Sequence, residues 1–133
     1  MDLLRYVDRD MEPTSREFYR RLGEERAIFG LRCRHCGKLN LPPRRHCACG
    51  SQSQQWERRT GGGRVHAFTT QAGAFRFAEP QVIGLIDLDG GGRLFGVLNA
   101  AVGELAIGIP VTLDLVEVEG TVLLGFRPLS EGD

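Results

Sequence analysis

The sequence predicts a mainly β protein with a short N-terminal helix, a cysteine-rich ribbon and then a five-stranded antiparallel barrel. Three observations predict this fold: a capped apolar stripe that starts near Thr14, four cysteines within residues 33–49, and short apolar strands between glycine turns from Trp56 onward. At 133 residues, of which 41% are apolar, the chain can bury one modest core. We expect a tail and helix over 1–30, the ribbon over 31–55 and the barrel over 56–133.

The cysteines form two close pairs that are separated by a ten-residue loop. They are Cys33, Cys36, Cys47 and Cys49. Two such pairs can place four thiolates around one ion, which predicts a structural zinc site with all four cysteines as ligands. The second pair has one intervening residue instead of two, so His35 and His46 are kept as substitute ligands. The same four cysteines could instead bind iron, which would colour the protein, or form a disulfide or remain plain buried thiols.

The helix is predicted from a capping box at Thr14–Glu17, with Pro13 just outside it and Gly23 after it. Its apolar stripe consists of Phe18, Tyr19 and Leu22. A helix of about ten residues is marginal on its own in water. The stripe therefore packs either against this domain or against another chain, and both possibilities stay open.

Strands are predicted on both sides of the cysteines. Ala27–Leu31 leads into the first pair, and Leu41–Arg44 is an extended return to the second. Five further candidates are bounded by Gly, Pro or Asn: Val65–Thr70, Val82–Leu88, Arg93–Leu98, Val111–Val118 and Thr121–Phe126. The last two alternate apolar and polar residues, which indicates half-buried antiparallel strands. Five strands without an intervening long helix favour a small Greek-key barrel of the OB type.

Composition and charge limit the function. Seventeen basic residues balance seventeen acidic ones, so the chain has no global field that would attract nucleic acid or an anionic membrane. No segment reaches the roughly 20 apolar residues of a membrane span, and we expect a cytosolic protein, where zinc thiolates are favoured over disulfides. His66 fits a strand position that is either solvent-facing or satisfied by a hydrogen bond. With every cysteine assigned to metal, we expect no catalysis by this chain alone.

A set of motifs in a fixed order carries a family resemblance. They are Phe18-Tyr19, Leu31-Arg-Cys-Arg-His-Cys-Gly37, Pro42-Pro-Arg44, Cys47-Ala-Cys-Gly-Ser51, Trp56, Gly63-Arg-Val65, Phe68-Thr69, Pro80 to Leu88, Gly108-Ile-Pro-Val111 and Phe126-Arg-Pro128. Together they span residues 15–129 and resemble the DUF35 OB-fold family, whose N-terminal part is a rubredoxin-like zinc ribbon. The sequence departs from the family at Cys47-Ala-Cys49, where the usual pattern is Cys-Pro-x-Cys.

The resemblance implies an accessory subunit of an acyl-CoA enzyme. Members of this family resemble obligate partners of thiolase-superfamily proteins, including steroid side-chain aldolases, and others join acyl-CoA hydratases. The partner would carry the nucleophile and base, and this chain would shape the acyl-CoA site and hold the assembly together. Cleavage of a 3-oxoacyl-CoA in aromatic-acid or steroid catabolism is a special case. Zinc is then structural, and acyl-CoA is a ligand of the complex.

Two regions are candidate contacts for a partner or for acyl-CoA. One is the helix stripe of Phe18, Tyr19 and Leu22, and the other is a glycine-flanked loop with Phe75, Arg76 and Phe77, because aromatic residues and arginine are favoured interface anchors. Arginines at 44, 45 and 64 could bind CoA phosphates or could be solvated surface charge. A single-stranded nucleic-acid-binding module is the competing class, since OB barrels and zinc ribbons both serve it. Acidic residues on the later strands count against it.

Overall fold

The computed structural model describes residues 12–71, 81–118 and 120–129. Within them, one α-helix is followed by ten strands that form a three-stranded ribbon sheet, a closed five-stranded barrel and a two-stranded hairpin, with a 3-10 turn at Val102–Glu104 between the sixth and seventh strands. The predicted mainly β fold with a short helix, a ribbon and an OB-like barrel is confirmed. No helix in the described residues is long and apolar enough to cross a lipid bilayer.

Helix α1 (Pro13–Glu25) begins two residues earlier than the capping box predicts. Its N-cap is Glu12, whose carboxylate accepts hydrogen bonds from the backbone N–H groups of Thr14 and Ser15 at 2.9 and 3.2 Å. The prediction that Thr14 caps the helix is wrong, because Pro13 lacks an N–H and so fits inside the first turn. The helix also continues through Gly23 and ends at Glu25, followed by the C-cap Arg26, which has a left-handed φ of 56°.

The ribbon sheet consists of β1 (Ile28–Cys33), β2 (Leu39–Asn40) and β3 (Gln54–Arg59). Strand β1 lies in the centre and pairs antiparallel with both neighbours, so Leu31 is opposite Asn40 on one side and opposite Trp56 on the other. The predicted strand before the first cysteine pair is confirmed. The sheet runs from residue 28 to residue 59, and the divisions after residues 30 and 55 stay a prediction.

The barrel is closed by strands in the order β10-β6-β5-β4-β7. These strands are β4 (Gly62–Gln71), β5 (Gln81–Leu88), β6 (Arg93–Leu98), β7 (Pro110–Leu113) and β10 (Gly125–Pro128). Four of the five pairings are antiparallel, but β10 runs parallel to β6. The all-antiparallel expectation is therefore corrected at the seam that closes the barrel.

The last two predicted strands each divide into two. Strand β8 (Val116–Val118) follows β7 after a break, and β9 (Thr121–Leu123) precedes β10. The break coincides with Gly125, whose backbone C=O accepts from Asp114 N–H at 2.7 Å and which has no room for a Cβ atom. Strands β8 and β9 then form a hairpin beside α1, where Arg26 and Glu117 form an ion pair at 3.0 Å.

The core fills the barrel and extends under the helix. Phe126, Ile86 and Val111 are fully buried in the barrel, and Phe18 and Leu22 of α1 join the same cluster. Burial of each such side chain is worth about 1.5–3 kcal/mol relative to exposure. The helix is thus held by intramolecular packing.

The ribbon is joined to the barrel at the glycine turn between β5 and β6. The C=O of Gly90 accepts a hydrogen bond from Arg59 Nη2 at 3.2 Å. Gly92 has φ of 99°, and a Cβ added there would lie 2.9 Å from Leu41 side-chain atoms. Glycine is required here by both conformation and close approach.

Candidate metal centre

The four cysteines converge at one end of the ribbon. Cys33 ends β1, Cys36 lies in the following turn, and Cys47 and Cys49 lie in the second turn, before β3. All four Sγ atoms lie within 4.8 Å of one another, and none is in a disulfide. Cys33 and Cys47 are buried, whereas Cys36 and Cys49 are exposed. Half of the cluster faces the protein and half faces solvent.

The distances fit a tetrahedral four-thiolate site. Sγ atoms at 2.3 Å from a zinc ion would be about 3.8 Å apart along each edge of the tetrahedron. The Cys33–Cys49 and Cys36–Cys47 Sγ separations are 3.6 and 3.5 Å. Four thiolates fill the coordination of zinc, so this donor set suits a structural ion rather than a catalytic one with an open position.

The two cysteine turns are built on the same plan at different lengths. In the first, Cys33 C=O accepts from Gly37 N–H at 3.0 Å, and Cys33 N–H donates to Lys38 C=O at 2.9 Å. In the second, Cys47 C=O accepts from Gly50 N–H at 2.8 Å, and Cys47 N–H donates to the C=O of residue 51 at 2.9 Å. In the second turn each of these hydrogen bonds spans one residue fewer than in the first. The shorter turn matches the one-residue spacing of Cys47-Ala-Cys49, and both of its sulfurs stay in the cluster.

Hydrogen bonds around the sulfurs favour the thiolates that metals bind. The backbone N–H of Cys36 donates to Cys33 Sγ at 3.4 Å, and this bond is the main cause that lowers the pKa of Cys33. The side chain of buried Asn40 lowers the pKa of Cys47 to about 6. At Cys49 a backbone hydrogen bond from Ser51 lowers the pKa. Burial and the neighbouring thiols outweigh it and raise the pKa of Cys49 to about 11. Crowded sulfurs of this kind need a cation before all four can be charged.

The histidines lie outside the cluster. Both His35 and His46 are exposed, and neither belongs to the group of potential metal ligands that the described residues form. His66 is also exposed, as predicted, and its Nδ1 lies 3.0 Å from Asp87 Oδ2. It occupies a β-bulge of β4, where the register with β5 shifts. Arg93 completes this surface group through its Nε, 2.6 Å from Asp87 Oδ1.

The predicted partner contacts on the helix are placed differently by the structure. Phe18 and Leu22 are 3% and 0% exposed in the chain's own core, so the expectation that they contact a partner is corrected. Tyr19 is only partly buried and stacks edge to face on Phe18, with ring centroids 5.1 Å apart. It lines an apolar cleft of about 70 Å³ next to Phe95, which is half exposed.

The predicted loop and arginine contacts do not form one site. Phe75, Arg76 and Phe77 lie outside the described residues. Arg44 and Arg45 are exposed on the ribbon. Arg64 is exposed on barrel strand β4, where its Nη1 donates to Gly108 C=O at 2.9 Å. The three arginines therefore belong to two different parts of the fold.

Sequence reasoning missed two residues of interest. Asn40 is 3% exposed and bonds to Gln54 at 2.8 Å next to Cys47, but no pattern in the sequence singles out this asparagine. Phe95 could have been found, because it alternates with the inward Leu94 on a predicted strand and so faces outward.

Two family models match consecutive parts of the chain. The zinc-ribbon model, described as "ChsH2, rubredoxin-like zinc ribbon domain", covers residues 20–54. The barrel model, described as "ChsH2, C-terminal OB-fold domain", covers residues 56–116. The chain belongs to the DUF35 family.

Relatives of this DUF35 chain include one curated protein and two solved structures. A DUF35 domain-containing scaffold protein of Methanocaldococcus jannaschii is 27% identical over 99 residues, which are 70% of each chain. The structure described as "Ltp2-ChsH2(DUF35) aldolase" matches with a TM-score of 0.79 at 28% identity, over 90% of this chain and 97% of that one. A DUF35 protein of unknown function from Sulfolobus solfataricus shares the fold, with a TM-score of 0.64 at 19% identity, over 97% of this chain and all of that one.

Proposed function

We propose that this DUF35 chain is a zinc-stabilised, non-catalytic accessory subunit of an acyl-CoA-processing enzyme whose catalytic subunit belongs to the thiolase superfamily. The observation that carries the proposal is the near full-length similarity to a chain of the Ltp2-ChsH2(DUF35) aldolase. The scaffold relative supports the same kind of role. The partner's reaction is thiolysis or aldol cleavage of an acyl-CoA, with 3-oxoacyl-CoA cleavage in aromatic-acid or steroid catabolism as the narrower case.

Zinc in this proposal is held by Cys33, Cys36, Cys47 and Cys49. It supplies no reaction step; it neutralises the crowded thiolates and ties the turn after β1 to the turn before β3. Because β1 and β3 are neighbours in the ribbon sheet, the ion fixes the end of that sheet. A cytosolic location belongs to the same proposal, since thiolates persist there.

The proposal divides the work between the two subunits. The partner provides the nucleophile and base, and this chain provides surface that shapes the acyl-CoA site and holds the subunits together. The contacts proposed on this chain are Tyr19 and the Phe75–Phe77 loop. Aromatic side chains with arginine are the usual anchors of such interfaces.

The test is co-purification with the catalytic subunit. The tagged chain is expressed in its native background, co-purifying chains are identified by mass, and acyl-CoA cleavage is assayed with each component alone and with both together. The proposal expects a thiolase-superfamily chain whose activity requires this one. A catalytic subunit that is fully active and stable alone, or a hydratase as the recovered partner, would contradict it.

A single-stranded nucleic-acid-binding module is the second candidate, and the basic ribbon is the observation that favours it. Residues 31–59 contain one acid, Glu57, among the bases Arg32, Arg34, Lys38, Arg44, Arg45, Arg58 and Arg59. The barrel is acidic by comparison, with Asp87, Asp89 and Glu104 on its described surface. Steeply salt-dependent binding of an oligothymidine would select this candidate.

A further inference from the structure

We propose that the groove along strand β2 binds an extended acidic segment of the partner polypeptide by strand addition. The inference rests on the proposed accessory role, because it names the part of the partner that this chain recognises. The groove has a volume of about 380 Å³ and is lined by one continuous segment, Lys38–Arg44.

The outer edge of the two-residue strand β2 has no strand partner in the described residues. In the order β2-β1-β3 it is an edge strand, and its pairing in the described residues is to β1 alone. An edge strand offers a row of unpaired N–H and C=O groups that an extended peptide can complete. Pro42 and Pro43 follow Leu41 and end this edge, because proline has no N–H to donate. The edge is therefore short and is defined on one side.

The charge at the two ends of the groove selects an acidic occupant. Lys38 and Arg44 are both exposed, and neither forms an ion pair with another residue in the described part of the chain. By contrast, Arg32 and Arg59 of the same ribbon share Glu57, at 3.0 and 3.5 Å. The ribbon's one acid is thus already paired with other arginines, and no carboxylate in the described residues neutralises the positive charge beside the groove.

The floor of the groove fits a polypeptide. Leu41 is buried and Leu39 is half-buried, and together they give it an apolar base. Asn40 also belongs to the lining, but its side chain is buried and donates to Gln54 Oε1 at 2.8 Å.

Nucleic acid fits this surface less well. Sequence-tolerant binding of single strands relies on aromatic faces on which bases stack. In the ribbon, Phe29 is buried and the Trp56 ring is covered by the guanidinium of Arg21 at 5.2 Å. Neither aromatic borders the groove, whose lining consists of leucine, proline, asparagine and basic residues.

The test uses the full zinc-loaded chain and a fluorescent peptide of alternating glutamate and valine. Binding is measured by anisotropy against three comparison probes: the same peptide with lysine for glutamate, the acidic peptide with N-methylated backbone, and an oligothymidine. We expect the acidic peptide to bind and the lysine and N-methylated peptides to bind at least about tenfold more weakly. Equal binding of the N-methylated peptide, or tighter binding of the oligothymidine, would overturn the proposal.

Matched variants locate the binding. Lys38→Glu/Arg44→Glu should weaken the acidic peptide about tenfold or more, whereas Arg34→Glu/Arg58→Glu makes the same change of charge on the same ribbon outside the groove and should weaken it far less. Zinc content is measured first and should be equal in both. If both variants lose the same affinity for the acidic peptide, the effect comes from overall charge, and the proposal that the groove binds the peptide is refuted.

The peptide assay does not require the catalytic subunit, so it can succeed or fail independently of the proposed function. If the catalytic subunit assembles with this chain and Lys38→Glu/Arg44→Glu leaves that affinity unchanged, the groove proposal fails and the accessory role stands. If the acidic peptide binds in the groove but no catalytic subunit assembles, the accessory role fails.

Discussion

The guanidinium of Arg21 lies 5.2 Å from the centroid of the Trp56 ring, and the same guanidinium lies 5.0 Å from the ring of Phe29. Arg21 thereby connects helix α1 to two strands of the ribbon sheet. Its Nε also lies 3.4 Å from Glu17 Oε2, so the carboxylate holds the guanidinium from within the helix. The helix is fixed to the ribbon by this arginine and to the barrel by Phe18 and Leu22.

Replacing Arg21 tests that connection. Arg21→Met keeps the apolar stem but removes the cation, and should lower the free energy of unfolding by about 1–2 kcal/mol, because two cation–π contacts in a partly buried setting are lost. The measurement is thermal or urea unfolding. Arg20→Met on the same helix is the control: Arg20 is 51% exposed, and its ion pairs with Glu17 and Glu24 are screened by solvent, so this variant should change stability much less. Equal effects of both variants would refute a special role for Arg21.

The metal ligands are tested by substitution at an exposed position. Cys36→Ser should lose zinc, measured by elemental analysis of the purified protein, and should unfold the ribbon, because metal binding and folding are coupled. His35→Ala and His46→Ala should keep the full zinc content of a single ion per chain. A Cys36→Ser protein that retains zinc and stability would contradict the four-cysteine site. It would mean either that a histidine replaces Cys36 as the fourth ligand or that the zinc is held by three protein ligands. A purified protein that is coloured by iron would exclude zinc.

The glycine turn makes a prediction about packing between ribbon and barrel. Gly92→Ala should destabilise the protein by about 1–3 kcal/mol, since the residue has positive φ and its new methyl would press on Leu41. Gly103→Ala is the matched control, because a Cβ there meets no atom within 4 Å. Denaturant unfolding of the two variants should separate them, and a neutral Gly92→Ala would show that the turn can move away from the ribbon.

The surface group on β4, β5 and β6 predicts a pH effect of known sign. Arg93 is the main cause that lowers the pKa of Asp87, with a smaller contribution from His66. A depressed carboxyl pKa stabilises the fold above the unfolded value of about 3.9 and loses that contribution as the pH falls through the lower, folded value. Arg93→Gln should therefore raise the pKa of Asp87, which NMR titration of its side chain can measure. Because Asp87 is 45% exposed, the associated stability change should be within about 1 kcal/mol.

The loop aromatics give a prediction that rests on the sequence. Phe75→Ala/Phe77→Ala should weaken assembly with the catalytic subunit while the isolated chain stays folded. The reason is that a few aromatic residues usually contribute most of the binding energy of an interface. The measurement is affinity by titration calorimetry together with a melting curve. Unchanged affinity would assign these residues to packing within the chain.

Local patterns in the sequence were sufficient for the ribbon and most of the barrel. Cysteine spacing predicted the cluster, and three barrel strands were placed within three residues of their observed ends, because apolar runs between glycine turns are local signals. The helix start was missed because the N-cap is the carboxylate of Glu12 and not the hydroxyl of Thr14. Pro13 has no backbone N–H that would need a hydrogen-bond acceptor, so it fits the first helical position. The parallel seam between Phe126 and Leu98 was missed because the pairing of distant strands leaves no trace in alternation.

The fate of the helix stripe could not be decided from the sequence either. Phe18 and Leu22 have the same pattern whether they pack inward or against another chain, and only the position of the barrel decides between the two. The positive charge of the ribbon was hard to recognise from the net charge, because a value of zero for the whole chain hides a basic segment that acidic residues elsewhere balance. Asn40 was not found because its importance comes from proximity to Cys47 in space.

The separation of charge described for the ribbon and barrel makes the protein an electric dipole whose positive pole is the metal-binding end. Near neutral pH, where the formal net charge is zero, an ion-exchange resin should still retain it, and a cation exchanger should hold it by the ribbon. In solution the field of an approaching acidic molecule turns such a dipole before contact. The ribbon should therefore be the first part of the protein to contact an anionic surface, because the protein is oriented during diffusion rather than after collision.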